Sequence, residues 1–172
     1  MTAPTIIPFE ARWAAPVETL FTRINLDLAP PDMAAAFEAY IQRSLTEEIG
    51  RIDAYYAEKD GGFWLVVDGE ALLGMFGLER AGPAAFELRR MYVAPEARRR
   101  GLARTMMAHA EATCRTRGAD TLLLSTSEAQ DAALAFYRAE GFEILREETA
   151  EAASNKTVGA GIRRYYMSRP VT

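Results

Sequence analysis

One cysteine and one histidine are all that the 172 residues contain, and that scarcity removes several chemistries at once. Cys114 has no second cysteine to pair with, so no disulfide framework can form within the chain. That fits a reducing compartment without requiring one. A metal site built on imidazole or thiolate has too few ligands, and none is expected. A Ser-His-Asp triad would have to use His109, which lies in a helical pattern between Met106, Met107 and Ala110 and reads as a structural or surface residue. Cys114, one turn further along, reads as core.

Long apolar runs are missing as well. Ile6-Ile7-Pro8-Phe9 is too short for a secretory signal and has no basic region before it. No stretch approaches the ~20 apolar residues of a membrane span, so a soluble, cytoplasmic protein without membrane partners is expected. Nor is there an excess of positive charge. Twenty Lys and Arg against 24 Asp and Glu leave a net charge of −4, which argues against a bulk nucleic-acid binder. Repeats and low-complexity linkers are absent too. With 49% hydrophobic and 26% charged residues, residues 1–172 are expected to form one globular domain.

What is present is a sequence of strand and helix patterns. Thr5 to Trp13 reads as a first strand, and Pro16 opens a helical segment over Val17 to Ile24. After Pro30-Pro31, Asp32 can cap a helix carrying Met33, Phe37, Tyr40 and Ile41. A further helix is expected from about Thr46 to Lys59, ended by Asp60-Gly61-Gly62. Phe63–Val67, Ala71–Leu78 and Ala85–Val93 read as an antiparallel meander turning at Asp68-Gly69 and Gly82-Pro83. In the third strand the apolar phase slips by one residue. Either a β-bulge near Arg89-Arg90 or a strand buried on both faces accounts for that. A helix from about Gly101 to Arg117 stops at Gly118. A strand over Thr121–Ser125, a helix over Ala129–Glu140 and a strand over Phe142–Leu145 follow. Glu147 to Gly161 reads as polar loop and Ile162–Met167 as a closing strand.

The chemistry concentrates where the third meander strand ends. Pro95 turns the chain, and Arg98-Arg99-Arg100-Gly101-Leu102-Ala103-Arg104 forms a basic, glycine-bearing loop that opens a helix. Backbone N–H groups at a helix start lack intrahelical partners, and the dipole there favours anions. Gly101 allows close backbone approach to a phosphate, and the arginines can neutralise several phosphate charges. Taken alone, the segment would equally suit a solvated charge run.

Here the sequence resembles the GNAT acetyltransferases, whose coenzyme A motif, Gln/Arg-x-x-Gly-x-Gly/Ala, is matched by Arg98 to Ala103 between a strand and a helix. Glu87-Leu88-Arg89-Arg90-Met91-Tyr92-Val93 is similar to the family's fourth strand. Ala133-Leu134-Ala135-Phe136-Tyr137-Arg138-Ala139-Glu140-Gly141-Phe142 resembles its late helix-to-strand signature. The resemblance covers roughly residues 63 to 146. It implies an α/β fold with a mixed, centrally bulged β-sheet flanked by helices, in the order β-α-α-β-β-β-α-β-α-β. It also implies an enzyme that moves acetyl from acetyl-coenzyme A to a primary amine.

Site residues follow from the same resemblance. The backbone of Met91, Tyr92 and Val93 would pair with the pantetheine arm, and Arg98, Arg99, Arg100, Gly101, Leu102, Ala103 and Arg104 would hold the pyrophosphate. Gln130 stands where many relatives carry Asn, which leaves one polar coenzyme contact open. Glu87 is where many relatives have a base for the amine, needed because an ordinary amine is almost wholly protonated at pH 7. Its plainer reading is a carboxylate paired with Arg89 or Arg90. Tyr137 is where relatives place a phenol that protonates the departing thiolate; Phe136 is expected to be the core residue of that pair. Glu47, Glu48, Tyr55 and Tyr56 fall near the family's acceptor site but read as helix surface and core. The sequence leaves open the acceptor, a small molecule or a peptide, and whether two copies form a homodimer. A non-catalytic acyl-coenzyme A sensor is the competing function.

Overall fold

A short strand, β1 (Thr5–Pro8), begins the computed structural model, which describes residues 2–172. The chain does not stay extended to Trp13. It makes a 3-10 turn over Ala11–Trp13 and runs straight into α1 (Ala14–Leu28), because buried Trp13 anchors the turn. Pro16 sits in the first turn of α1, where its missing N–H breaks no intrahelical bond. Val17, Leu20, Phe21 and Ile24 form the buried stripe. A second 3-10 turn, Pro31–Met33, leads into α2 (Ala34–Glu47), which no side chain caps, Asp32 included.

The helix expected over 46–59 is broken in two. Glu48 leaves helical geometry at φ −139°, a 3-10 turn covers Ile49–Arg51, and α3 occupies Ile52–Glu58. Glycine permits this break: a Cβ on Gly50 would lie 2.4 Å from the Leu45 carbonyl oxygen. The break turns Glu48 inward.

β2 (Gly62–Asp68), β3 (Ala71–Arg80) and β4 (Ala85–Val93) form the expected meander. Gly77 of β3 faces Arg89 of β4, whereas Met75 faces Tyr92, so β4 carries one extra residue between them. Arg90 takes φ +54° there. The phase slip is therefore a β-bulge. A 3-10 turn over Pro95–Ala97 precedes α4 (Leu102–Thr116), followed by β5 (Thr121–Ser127) and α5 (Asp131–Ala139). β6 (Glu143–Ala150) and β7 (Ile162–Pro170) close the chain as an antiparallel pair.

β6 runs five residues past Leu145, where its apolar pattern ends, and only residues 151–161 are loop. The sheet order β1-β2-β3-β4-β5-β7-β6 explains the misreading. β6 is an edge strand whose polar residues pair with β7 and its surroundings, as Glu147 does with Arg163 at 2.7 Å. His109 packs against the rings of Trp64 and Phe76, with centroids 5.4 and 5.7 Å away, and burial lowers its pKa. Cys114 is fully buried, which pushes its thiol up to about 11. Both residues are structural.

Candidate active site

β4 and β5 run parallel but pair only over Ala85–Glu87 against Thr121–Leu123. Beyond Glu87 they separate, because the bulge twists β4 away while β5 continues against β7. The β5-facing edge of β4 is thus left without a strand partner from Leu88 onward. Met91, Tyr92 and Val93 line the resulting groove of about 490 Å³, together with Ala103, Phe136 and Tyr137.

At the groove's end lies the arginine loop. Arg99 and Gly101 adopt φ +63° and +76°, while Arg100 between them does not have positive φ. Alternating hands of this kind turn successive N–H groups toward one point, the arrangement that suits an anion. Gly101 caps α4 without a side-chain hydrogen bond, so the N–H groups of Leu102, Ala103 and Arg104 are free of intrahelical partners. The Leu102 side chain is buried in the core. Arg98 lines the groove, Arg99 and Arg100 are exposed, and Arg104 is 79% exposed and reaches Glu140 at 3.8 Å.

A second, smaller pocket of about 90 Å³ adjoins the groove and shares Met91, Tyr92, Gln130 and Tyr137 with it. Glu87 lines this pocket as well. Its nearest cation is neither Arg90 nor, at 3.9 Å, Arg89: the Lys156 ammonium donates to Glu87 Oε2 at 2.9 Å and to Glu79 Oε1 at 3.3 Å. Gln130 Oε1 accepts from Thr126 Oγ1 at 2.7 Å. Tyr137 is more deeply buried than Phe136, reversing the expected order: both rings line the groove, and Tyr137 also packs edge-on against Phe142 at 5.8 Å. Burial, then nearby Tyr92, raises the Tyr137 pKa well above the ordinary phenol value. Its hydroxyl finds no hydrogen-bond partner among the described residues.

The sequence model of the acetyltransferase (GNAT) family matches residues 26–142. The chain belongs to that family. Solved structures carry the same fold. An acetyltransferase of the GNAT family from Staphylococcus aureus superposes with a TM-score of 0.75 at 18% identity, covering 99% of this chain and 100% of that one. The PaiA N-acetyltransferase of Thermoplasma acidophilum, in complex with coenzyme A, gives 0.74 at 14% identity over 98% and 99%. The ribosomal-protein-S18-alanine N-acetyltransferase of Escherichia coli gives 0.69 at 17% identity over 99% and 95%. No curated protein matches the chain by sequence.

As a GNAT acetyltransferase the protein uses acetyl-coenzyme A, and its residues fit that molecule. The groove is mostly apolar, its strand edge is free, and a Cβ at Gly101 would meet nothing within 4 Å, so the space beside the loop is open. No helix among the described residues is long and apolar enough to cross a membrane.

Beneath the smaller pocket of this GNAT enzyme sits a buried ionic network that sequence reasoning missed. Glu48 is fully buried and accepts from Arg89, from Arg90 Nε and Nη2 at 3.0 Å, from Tyr56 Oη at 2.7 Å and from Asn155 Nδ2 at 3.0 Å. Burial alone would raise its pKa, but Arg90 and Arg89, with the Tyr56 hydrogen bond, outweigh it and hold the carboxyl at about 2. Arg90 also donates to Tyr40 Oη at 2.6 Å and to the Asn155 carbonyl at 2.6 Å. Tyr55 donates to Glu79 at 2.8 Å, and Glu47 stays on the exposed surface. Asn155 thereby ties the 151–161 loop to the bulge and carries Lys156 over Glu87. No local pattern marks those loop residues. Arg164 was readable: two residues after Ile162 on a strand, it shares that residue's inward face.

Proposed function

We propose that the protein is an N-acetyltransferase acting on a primary amine by direct attack, with Glu87 as general base and Tyr137 as general acid. The observation that carries this reading is that Glu87 and Tyr137 line one pocket, where it opens into the groove along Met91, Tyr92 and Val93. The free edge of those three residues would take the pantetheine arm as an added strand, and the loop from Arg98 to Arg104 would hold the pyrophosphate. Bound acetyl-coenzyme A supplies an activated acetyl thioester.

Glu87 takes the proton of the acceptor ammonium, directly or through a water, and so frees the nitrogen lone pair. Tyr137 stays protonated at neutral pH, as its raised pKa requires, and its unpartnered hydroxyl gives a proton to the leaving sulfur. Gln130, whose Oε1 accepts from Thr126 Oγ1, would offer its amide N–H to the coenzyme in the groove it lines. The test is an amine-acceptor screen that follows thiol release, run with Glu87→Gln beside the wild type. Turnover of the variant should fall by roughly 10²–10⁴ and recover in part at high pH. An unchanged pH–rate profile would move the base elsewhere.

A further inference from the structure

Arg164 is a buried cation that makes no salt bridge among the described residues. It stands on β7 opposite Ser127 of β5, is 6% exposed, and lines the same pocket as Glu87 and Tyr137. Its Nη2 donates to Ser125 Oγ at 2.5 Å, and the Tyr166 ring lies 5.9 Å from its guanidinium carbon. Among the described residues no carboxylate comes within 4 Å of it. Glu148 faces it in the β6–β7 register and feels its charge, but that partly exposed carboxylate is held by the Tyr166 hydroxyl and by Arg146 at 2.8 Å and makes no ion pair with Arg164. A guanidinium is always charged, and taking it out of water without a counter-charge is strongly disfavoured. The other two buried arginines, Arg89 and Arg90, both pair with Glu48. Around the pocket Arg89, Arg90, Lys156 and Arg164 face Glu48, Glu79 and Glu87, leaving one positive charge in excess.

We infer that the acceptor carries a carboxylate that docks on Arg164 while its amine turns to Glu87, so that the substrate is a free amino acid. This rests on the catalytic reading above. The place of the amine is marked by Lys156, whose ammonium bridges Glu87 and Glu79. The place of the carboxylate is marked by Arg164, which reaches back along β5 to Ser125. That is two residues beyond Leu123, the partner of Glu87, a rise of about 7 Å. Along the strand direction, a small amino acid hydrogen-bonded at both ends covers that rise. A single excess charge suits a carboxylate better than a phosphate, which carries nearly two. A lysine within a protein offers no carboxylate beside its amine.

The experiment compares the twenty L-amino acids with their carboxamides and with 2-aminoethyl phosphate, by thiol release with acetyl-coenzyme A. In parallel, the thermal stability of the protein with coenzyme A is measured against the same compounds. At least one free amino acid should be acetylated with kcat/KM roughly 10–100-fold above its amide and should raise the melting temperature. Arg164→Gln should collapse that acid-to-amide ratio toward one, mainly through KM, and Arg164→Lys should keep part of it. Amides or the phosphate used as well as the acid, or an unaltered ratio in Arg164→Gln, would overturn the inference. If no amine at all releases thiol, the catalytic reading fails, but binding still decides here: no stabilisation by any of the twenty amino acids would refute the carboxylate site.

Discussion

Lys156 and Glu87 form an ion pair of 2.9 Å inside the candidate active site, joining the loop before β7 to the central strand of the sheet. An acceptor amine that approaches Glu87 has to take the place of the Lys156 ammonium. The Lys156 side chain is 38% exposed, so the pair is partly screened and contributes at most about 1 kcal/mol. Lys156→Met should therefore lower the acceptor KM by up to about 5-fold while kcat changes little. A raised KM would make Lys156 part of the acceptor's own binding surface.

Tyr137→Phe removes one hydroxyl and keeps nearly all of the buried ring. That hydroxyl bonds to no other described group, so stability and coenzyme A affinity should hold. Turnover at saturating acetyl-coenzyme A should fall toward the low end of ~10²–10⁴, because a thiol with a pKa of about 8.5 leaves tolerably well unaided. Full activity would make Tyr137 a packing residue.

Glu48 should dominate the acid limb of the stability curve. Its carboxyl titrates at about 2 when folded against 4.5 as the ordinary value. Its contribution is fully present above pH 4.5 and is lost as pH falls toward 2. The shift amounts to about 3 kcal/mol. Urea unfolding of the wild type between pH 6 and pH 2 should show that loss. Glu48→Gln should be destabilised by roughly 3–5 kcal/mol at pH 7, since it leaves two buried arginines without their carboxylate, and should show a flatter acid limb. An identical acid limb in the variant would place the titration on other groups.

Gly101→Val should weaken coenzyme A binding at least tenfold, read by calorimetry, because its branched side chain fills the open space beside the loop. The residue's φ of +76° also makes any β-branched replacement strained by roughly 1–2 kcal/mol, so the melting temperature should drop by several degrees. Gly101→Asn tolerates the left-handed backbone and separates the two effects: binding should still weaken with little loss of stability. Wild-type affinity in both variants would move the phosphate site elsewhere.

Most of the fold was legible because its signals are local. The slipped phase of Phe86, Leu88, Met91 and Val93 suited either an extra residue in β4 or a strand buried on both faces, and the strand register with the Arg90 conformation decides for the extra residue. Errors fell where tertiary context overrides local preference. Trp13 was drawn into a helical entry by burial, Gly50 broke a helix that its neighbours would have continued, and β6 is held as a strand by pairing with β7 although its residues are mostly exposed and polar.

The amino-acid order by itself determined the motif from Arg98 to Arg104, the positions of Glu87 and Tyr137 in their elements, and the family. These depend on spacings of a few residues along one strand, loop or helix. Only the tertiary structure decided what surrounds them. Asn155 meets Glu48 across 107 residues of chain, Lys156 meets Glu87 across 69, and Arg164 reaches the pocket because β7 inserts beside β5. A repeat of two or 3.6 residues carries no information about such contacts. They arise when burial forces distant charges to share one low-dielectric space, where each carboxylate or guanidinium must find a partner or await one.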